Sequence, residues 1–203
     1  MPSLFTKLFD ILFPPSPELR IVRATTAAAV CVQCRPMYED GIYALTHFKD
    51  GTMRALIHEA KFHHNAHALA LLGTLFAHGL THLPLPDANF LILPIPLSPA
   101  RKRERGYNQV AEVLHAAARE RSLAIDAHTL VRTRHTKPQT ELSREERLHN
   151  MKDAFAVRTP ERIAGAHIIV VDDVYTTGAT LRAAKAALLP HTPASVTCLA
   201  LAH

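Results

Sequence analysis

Residues 168–180, IIVVDDVYTTGAT, restrict the fold more than any other stretch of the chain. Ile168, Ile169, Val170 and Val171 are consecutive, apolar and β-branched. A run without polar alternation reads as a strand buried on both faces, and such a strand needs helices on both sides of its sheet. A second run of this kind, residues 90–95, is bounded by prolines. Helical spacing marks residues 52–62 (Met53, Leu56, Ile57, Ala60), 69–80 (Leu69, Leu72, Phe76, Leu80), 108–121 (Val110, Val113, Leu114, Ala117) and the alanine-rich 178–189. Strands are expected at 42–48, 130–132, 154–157 and 195–201. Strands alternating with helices predict an α/β protein with a central, mainly parallel sheet flanked by helices.

The same segment carries the densest chemical signal. Asp172 and Asp173 follow the apolar run, and the turn Thr176-Thr177-Gly178-Ala179-Thr180 opens the next helix. Ligands of parallel α/β sheets collect at the carboxyl ends of strands. A helix N-terminus offers free N–H groups and the positive end of the helix dipole, which attract phosphate. Gly178 permits close backbone approach. Paired carboxylates beside a phosphate site can accept from sugar hydroxyls or hold Mg²⁺ through its waters. Acids after a strand also commonly cap helices, and T-T-G alone is an ordinary turn. No GxxxxGK[ST] or GxGxxG is present.

Taken together, residues 168–180 resemble the phosphoribosyl pyrophosphate signature of type I phosphoribosyltransferases. The resemblance implies that Asp172 and Asp173 hold the ribose hydroxyls and that the turn from Val174 and Tyr175 through Thr176, Thr177, Gly178, Ala179 and Thr180 wraps the 5′-phosphate. Three further blocks resemble the ComF and GntX proteins: YALTHFKDGTMRALIHEAKF (43–62), in which Lys61 ends a helix, LPIPLSPARKRERGYNQ (93–109) and KPQTELSREERLHNMKDAF (137–155). The resemblance covers roughly residues 42–201. It implies a type I phosphoribosyltransferase fold, phosphoribosyl pyrophosphate as ligand and Mg²⁺ as its companion ion. It further implies a competence or DNA-uptake setting, with DNA-uptake machinery as a partner.

Read from the residues, Pro94-Ile95-Pro96-Leu97 leaves a strand end where backbone amides can meet pyrophosphate. Arg101, Lys102, Arg103 and Arg105 concentrate positive charge just beyond it, which suits phosphate oxygens or a solvated basic turn. Arg105 and Lys137 are the candidates for pyrophosphate contacts, and with Asp172 and Asp173 they form the expected catalytic set. Asn108 and Gln109 fit either a helix cap or a ligand contact. Lys137-Pro138-Gln139-Thr140 reads as a polar loop able to close over the site. Arg147 suits phosphate or an ion pair with Glu145 or Glu146.

The net charge of +5 favours anionic partners. The acceptor of a phosphoribosyl group stays open. So does a second function class, a non-catalytic sensor of phosphoribosyl pyrophosphate or a single-stranded-DNA accessory, although aromatics are only 6 % and tryptophan is absent. A third is a fold that has lost its ligand. Three cysteines give no disulfide framework, and no apolar run reaches the ~18 residues of a membrane span. A cytoplasmic protein is expected. Cys31-x-x-Cys34 is one zinc knuckle where ComF-like proteins usually carry a ribbon with paired knuckles; His47 has no supporting spacing, so no zinc is expected. His58, His63, His64 and His67 read as a solvated helix end, and Cys198 as a small buried apolar residue.

Leu4, Leu8, Ile11 and Leu12 fall at helical spacing in a segment that also holds Lys7 and Asp10 and stops at Pro14 and Pro15. Residues 14–41 read as irregular, with prolines at 14, 15, 17 and 36. The expected organisation is an N-terminal segment, 1–41, as a degenerate zinc-ribbon region, and a phosphoribosyltransferase-like domain, 42–203.

Overall fold

A computed structural model describes residues 14–86, 88–133 and 154–203. Its centre is a six-stranded sheet in the order β1-β2-β8-β7-β3-β4, built from Met37–Glu39, Ile42–Thr46, Ser195–Ala202, His167–Val174, Phe90–Pro94 and Ala124–Ile125. Every neighbouring pair is parallel except the edge hairpin β1–β2. The unbroken apolar runs of β3 and β7 lie side by side, with Leu91 opposite Ile168 and Leu93 opposite Val170. A separate two-stranded antiparallel ribbon pairs β5, Leu130–Arg132, with β6, Phe155–Val157. Mainly parallel α/β architecture is therefore what the alternation of elements predicts.

Strand alternation splits the core into two layers. On one face Ile169, Val171, Leu199 and Leu201 meet the helices α1 (Pro17–Ala24), α2 (Ala27–Val32), α3 (Gly51–Phe62), α4 (Ala66–Leu80) and α6 (Gln109–Ala118). On the other, Ile168, Val170 and Ala200 meet α7 (Ala179–Leu188), Leu130, Phe155 and Ile163. Most helices begin on side-chain caps. Asp50 accepts from Thr52 N and Met53 N to start α3, and Asn65 accepts from His67 N and Ala68 N to start α4.

The segment 14–41 is not irregular. Ser16 and Thr26 cap α1 and α2, and Pro17 occupies the first turn of α1, where its missing N–H is harmless. Val22 and Val30 are fully buried in the same core as α3 and α4. The stretch after β3 also differs from a simple basic turn. It forms α5, Pro99–Arg105, capped by Ser98 and closed by Gly106 at φ 77°. The helix expected at residues 4–12 lies outside the described residues. Among the described residues no helix is long and apolar enough to cross a membrane.

Candidate functional site

β7 runs three residues beyond Val171, the last of its four consecutive apolar residues, so Asp172 and Asp173 are strand residues rather than residues of the following turn. Successive side chains of a strand point to opposite faces. Asp173 shares the side of Val171 and faces α3 and α6. It is buried, accepts a 2.7 Å hydrogen bond from Gln109 Nε2, and pairs with Lys61 Nζ at 3.4 Å. Asp172 shares the side of Val170 and feels the charge of Arg132 on β5. The two acids thus reach from both faces of the sheet into one place.

That place is a cavity of about 800 Å³ outside the carboxyl ends of β3 and β7. The cations Arg54, Lys61, Arg101, Arg105 and Arg132 line it against the carboxylates Asp172, Asp173 and Glu104. The cavity is the size of ordinary small-molecule sites, and its charge suits an anionic ligand. Burial, then the charge of Asp173, raises the Asp172 carboxyl to about 7; the N–H of Asp173, Lys61 and Arg132 act in the opposite direction. Burial and the neighbouring Arg101 lower the pKa of Arg132, against the pull of Asp172. A like-charged pair held this way has electrostatic energy that a bound cation or hydroxyl donor can relieve.

Several residues expected at the site line this cavity: Ile95, Pro96, Leu97, Arg101, Arg105, Gln109, Asp172, Asp173, Val174, Thr176 and Thr180. Pro94 does not; it ends β3, opposite Val171 of β7. Asn108 is a cap: its Oδ1 accepts from Val110 N and Ala111 N, and its Nδ2 donates to Ile95 O at 2.9 Å, tying the β3 end to α6. Gln109 is not a cap but a bridge, accepting from Arg105 Nη1 at 3.2 Å while donating to Asp173. In the turn, Tyr175 is buried with its ring stacked on His203, Ala179 is buried, and the Thr177 carbonyl accepts from Arg182. Gly178 caps α7 in the left-handed region at φ 68°. Lys137, Gln139 and Arg147 lie outside the described residues.

Sequence reasoning did not name Arg54, His58, Phe62 or Arg132 as site residues, and it gave Lys61 no role there. Lys61 lies in the last turn of α3, one turn from Ile57, and only meets Asp173 because α3 packs over the sheet end. Tyr107 fixes that helix end: its hydroxyl donates to Ala60 O at 2.8 Å and accepts from His64 N at 3.0 Å. Arg132 comes from the β5–β6 ribbon, anchored by Asp126, which accepts from Thr129 and pairs with Arg162 at 3.1 Å. No local pattern announces either long-range contact.

Asn108→Ala tests the coupling between α6 and the β3 end. It removes a cap of about 1 kcal/mol and a tertiary hydrogen bond of about the same size. The melting temperature, followed by circular dichroism, is expected to fall by about 4–8 °C.

A family model for the phosphoribosyl transferase domain matches residues 101–203. The DNA utilization protein YhgH of Salmonella typhi is 35 % identical over 147 residues, 70 % of this chain and 63 % of that protein. Competence protein ComFC of Bacillus subtilis is 37 % identical over 107 residues, 51 % of this chain and 40 % of that protein. This chain thus spans less than two thirds of the length of these curated relatives. Among solved structures, the glutamine phosphoribosylpyrophosphate amidotransferase from B. subtilis superposes with a TM-score of 0.43 at 16 % identity, covering 68 % of this chain and 26 % of that one.

Proposed function

We propose that this chain, which belongs to the phosphoribosyl transferase domain family and within it to the ComF group, binds phosphoribosyl pyrophosphate in the cavity beside β7 and transfers its phosphoribosyl group with release of pyrophosphate. The observation that carries this reading is one strand end: Asp172 and Asp173 open into a cation-lined cavity at the point where the same strand turns into the N-terminus of α7. Asp172 and Asp173 accept from the ribose hydroxyls. Thr176, Thr180 and the amides at the start of α7 take the 5′-phosphate. Ile95–Leu97, Arg101 and Arg105 face the pyrophosphate, and Lys137, with Gln139 and Arg147, belongs to the loop that covers it.

Oxygen donors, and a carboxyl raised by burial and then by a neighbouring carboxylate, fit Mg²⁺, which Asp172 and Asp173 would hold together with the ligand's own hydroxyls. Bound there, the ion supplies charge neutralisation for the departing pyrophosphate. The chain's own residues do the rest. The acids orient the ribose and the arginines stabilise the leaving group. Lys61 and Gln109 hold Asp173 in place. The setting is competence and the use of DNA, in line with the names of the relatives. A non-catalytic variant of this reading, ligand sensing coupled to single-stranded DNA, draws on α5: Arg101, Lys102 and Arg103 are exposed on a helix with no buried residue.

Calorimetry of the chain with phosphoribosyl pyrophosphate and Mg²⁺ tests the reading. Saturable one-to-one binding is expected, lost in the Asp172→Asn/Asp173→Asn double variant. Absence of saturable binding to the wild-type chain overturns it. Pyrophosphate release across a panel of nitrogenous bases then separates transferase from sensor.

A further inference from the structure

The C-terminal end of α3 carries an arrangement that the cavity chemistry does not use. His58, Glu59 and His63 bring their ligand atoms within 4.8 Å of one another. Glu59 is buried at 3 % exposure, which is costly for a carboxylate without a close partner. Its Oε2 accepts from Asn65 Nδ2 at 3.2 Å, but its Oε1 stands 3.8 Å from His63 Nε2, longer than a hydrogen bond. The Nδ1 of His58 is buried with no hydrogen-bond partner. One buried imidazole nitrogen without a hydrogen-bond partner therefore lies beside a buried carboxylate, with an exposed imidazole next to them.

We propose that His58, Glu59 and His63 bind a divalent transition metal of the zinc class at the rim of the cavity. Imidazole nitrogen with carboxylate oxygen is a donor set for Zn²⁺ rather than Mg²⁺. At metal–ligand bonds of about 2.0–2.2 Å, tetrahedral ligands lie roughly 3.3–3.6 Å apart. The 3.8 Å Glu59–His63 separation is near that value, and the His63 side chain, 58 % exposed, is free to turn inward. The backbone is already set for it. Glu59 O accepts from both His63 N and Asn65 N at 3.2 Å, and Tyr107 holds His64 N, so the helix end is closed on itself. Three protein ligands leave one position for water or an external ligand. His58 also lines the cavity, so the metal and the cavity's occupant share a wall. The site does not depend on what the cavity binds.

Titration of the untagged chain with Co²⁺, with Zn²⁺ as competitor, tests the proposal. The expected result is one-to-one saturation with visible d–d absorption, displaced by Zn²⁺. His63→Ala, at an exposed position, is expected to weaken binding on the order of tenfold or more, and Glu59→Gln likewise. Cys31→Ser/Cys34→Ser and Asp172→Asn/Asp173→Asn are expected to leave the Co²⁺ spectrum unchanged. The proposal is overturned if the wild-type chain does not saturate, if saturation survives both His63→Ala and Glu59→Gln, or if the cysteine or aspartate pair proves to hold the metal.

Discussion

Asp172→Asn is expected to raise the melting temperature of the ligand-free protein at pH 8 while weakening its binding of phosphoribosyl pyrophosphate on the order of tenfold to a hundredfold. In the unfolded chain this carboxyl ionises near 3.8, whereas in the folded chain burial and Asp173 raise it to about 7. Between those values the folded state holds the extra proton, so stability falls as pH rises through the window, and the whole deficit is present above pH 7. At about 1.4 kcal/mol per pH unit the limit is about 4 kcal/mol. The two acids share this penalty, so about 1–2 kcal/mol is the expected gain, or roughly 2–8 °C. Asn keeps an oxygen for the Asp173 N–H that Asp172 now accepts at 2.9 Å. At pH 4 the wild-type carboxyl is already neutral in the folded state, and the difference should vanish. On the ligand side, a charge-assisted hydrogen bond to a ribose hydroxyl is worth about 1.5–3 kcal/mol. Thermal scans at pH 4 and pH 8, with calorimetry at pH 8, check both halves. A destabilised variant at pH 8 would contradict the electrostatic account even if ligand binding were lost.

The opposition between stability and binding explains why β7 was readable and its surroundings were not. Four consecutive β-branched residues can only be a doubly covered strand, and two carboxylates at its end break the apolar pattern where a fold-driven sequence would continue it. Such a departure is a local signal. The partners of Asp173 are not local: Gln109 is 64 residues away, and Lys61 sits on a helix whose position depends on Tyr107, Ala60 and the packing of α3 over the sheet. Arg132 reaches the cavity through the β5–β6 ribbon, whose strands are three residues each.

The elements missed in the sequence are all short. α1 and α2 bury one valine each, Val22 and Val30, and α5 buries none, so there is no periodicity to detect. Their caps were visible all the same: Ser16-Pro17, Thr26, and Ser98-Pro99 closed by Gly106. Pro17, one of the prolines that suggested irregular chain, in fact stands in the first turn of a helix, as does Pro99.

Gly178→Ala is expected to cost about 2–4 kcal/mol, against about 1 kcal/mol for Gly165→Ala. Both glycines sit in the left-handed region, at φ 68° and 69°, so both substitutions carry the backbone penalty of an L residue there. They differ in what a methyl group meets. At Gly165 nothing lies within 4 Å, whereas at Gly178 it would run into Ile42 Cδ1 and come within 2.8 Å of Arg182 Nη1. Arg182 is the flexible end of a side chain, but its guanidinium donates to Thr177 O in the same turn. Ile42 is fully buried on β2 and has nowhere to go, which adds an overpacking cost of about 1–3 kcal/mol. Melting temperatures of the two variants isolate the steric part. The turn can avoid the clash only by lifting the start of α7 away from β2, which would move Thr176 and Thr180 at the cavity wall. Gly178→Ala should therefore lose phosphoribosyl pyrophosphate affinity at temperatures where it is still folded, and Gly165→Ala should not. Equal melting temperatures would mean that Ile42 yields without cost and that the fit of the turn against β2 is looser than the geometry implies.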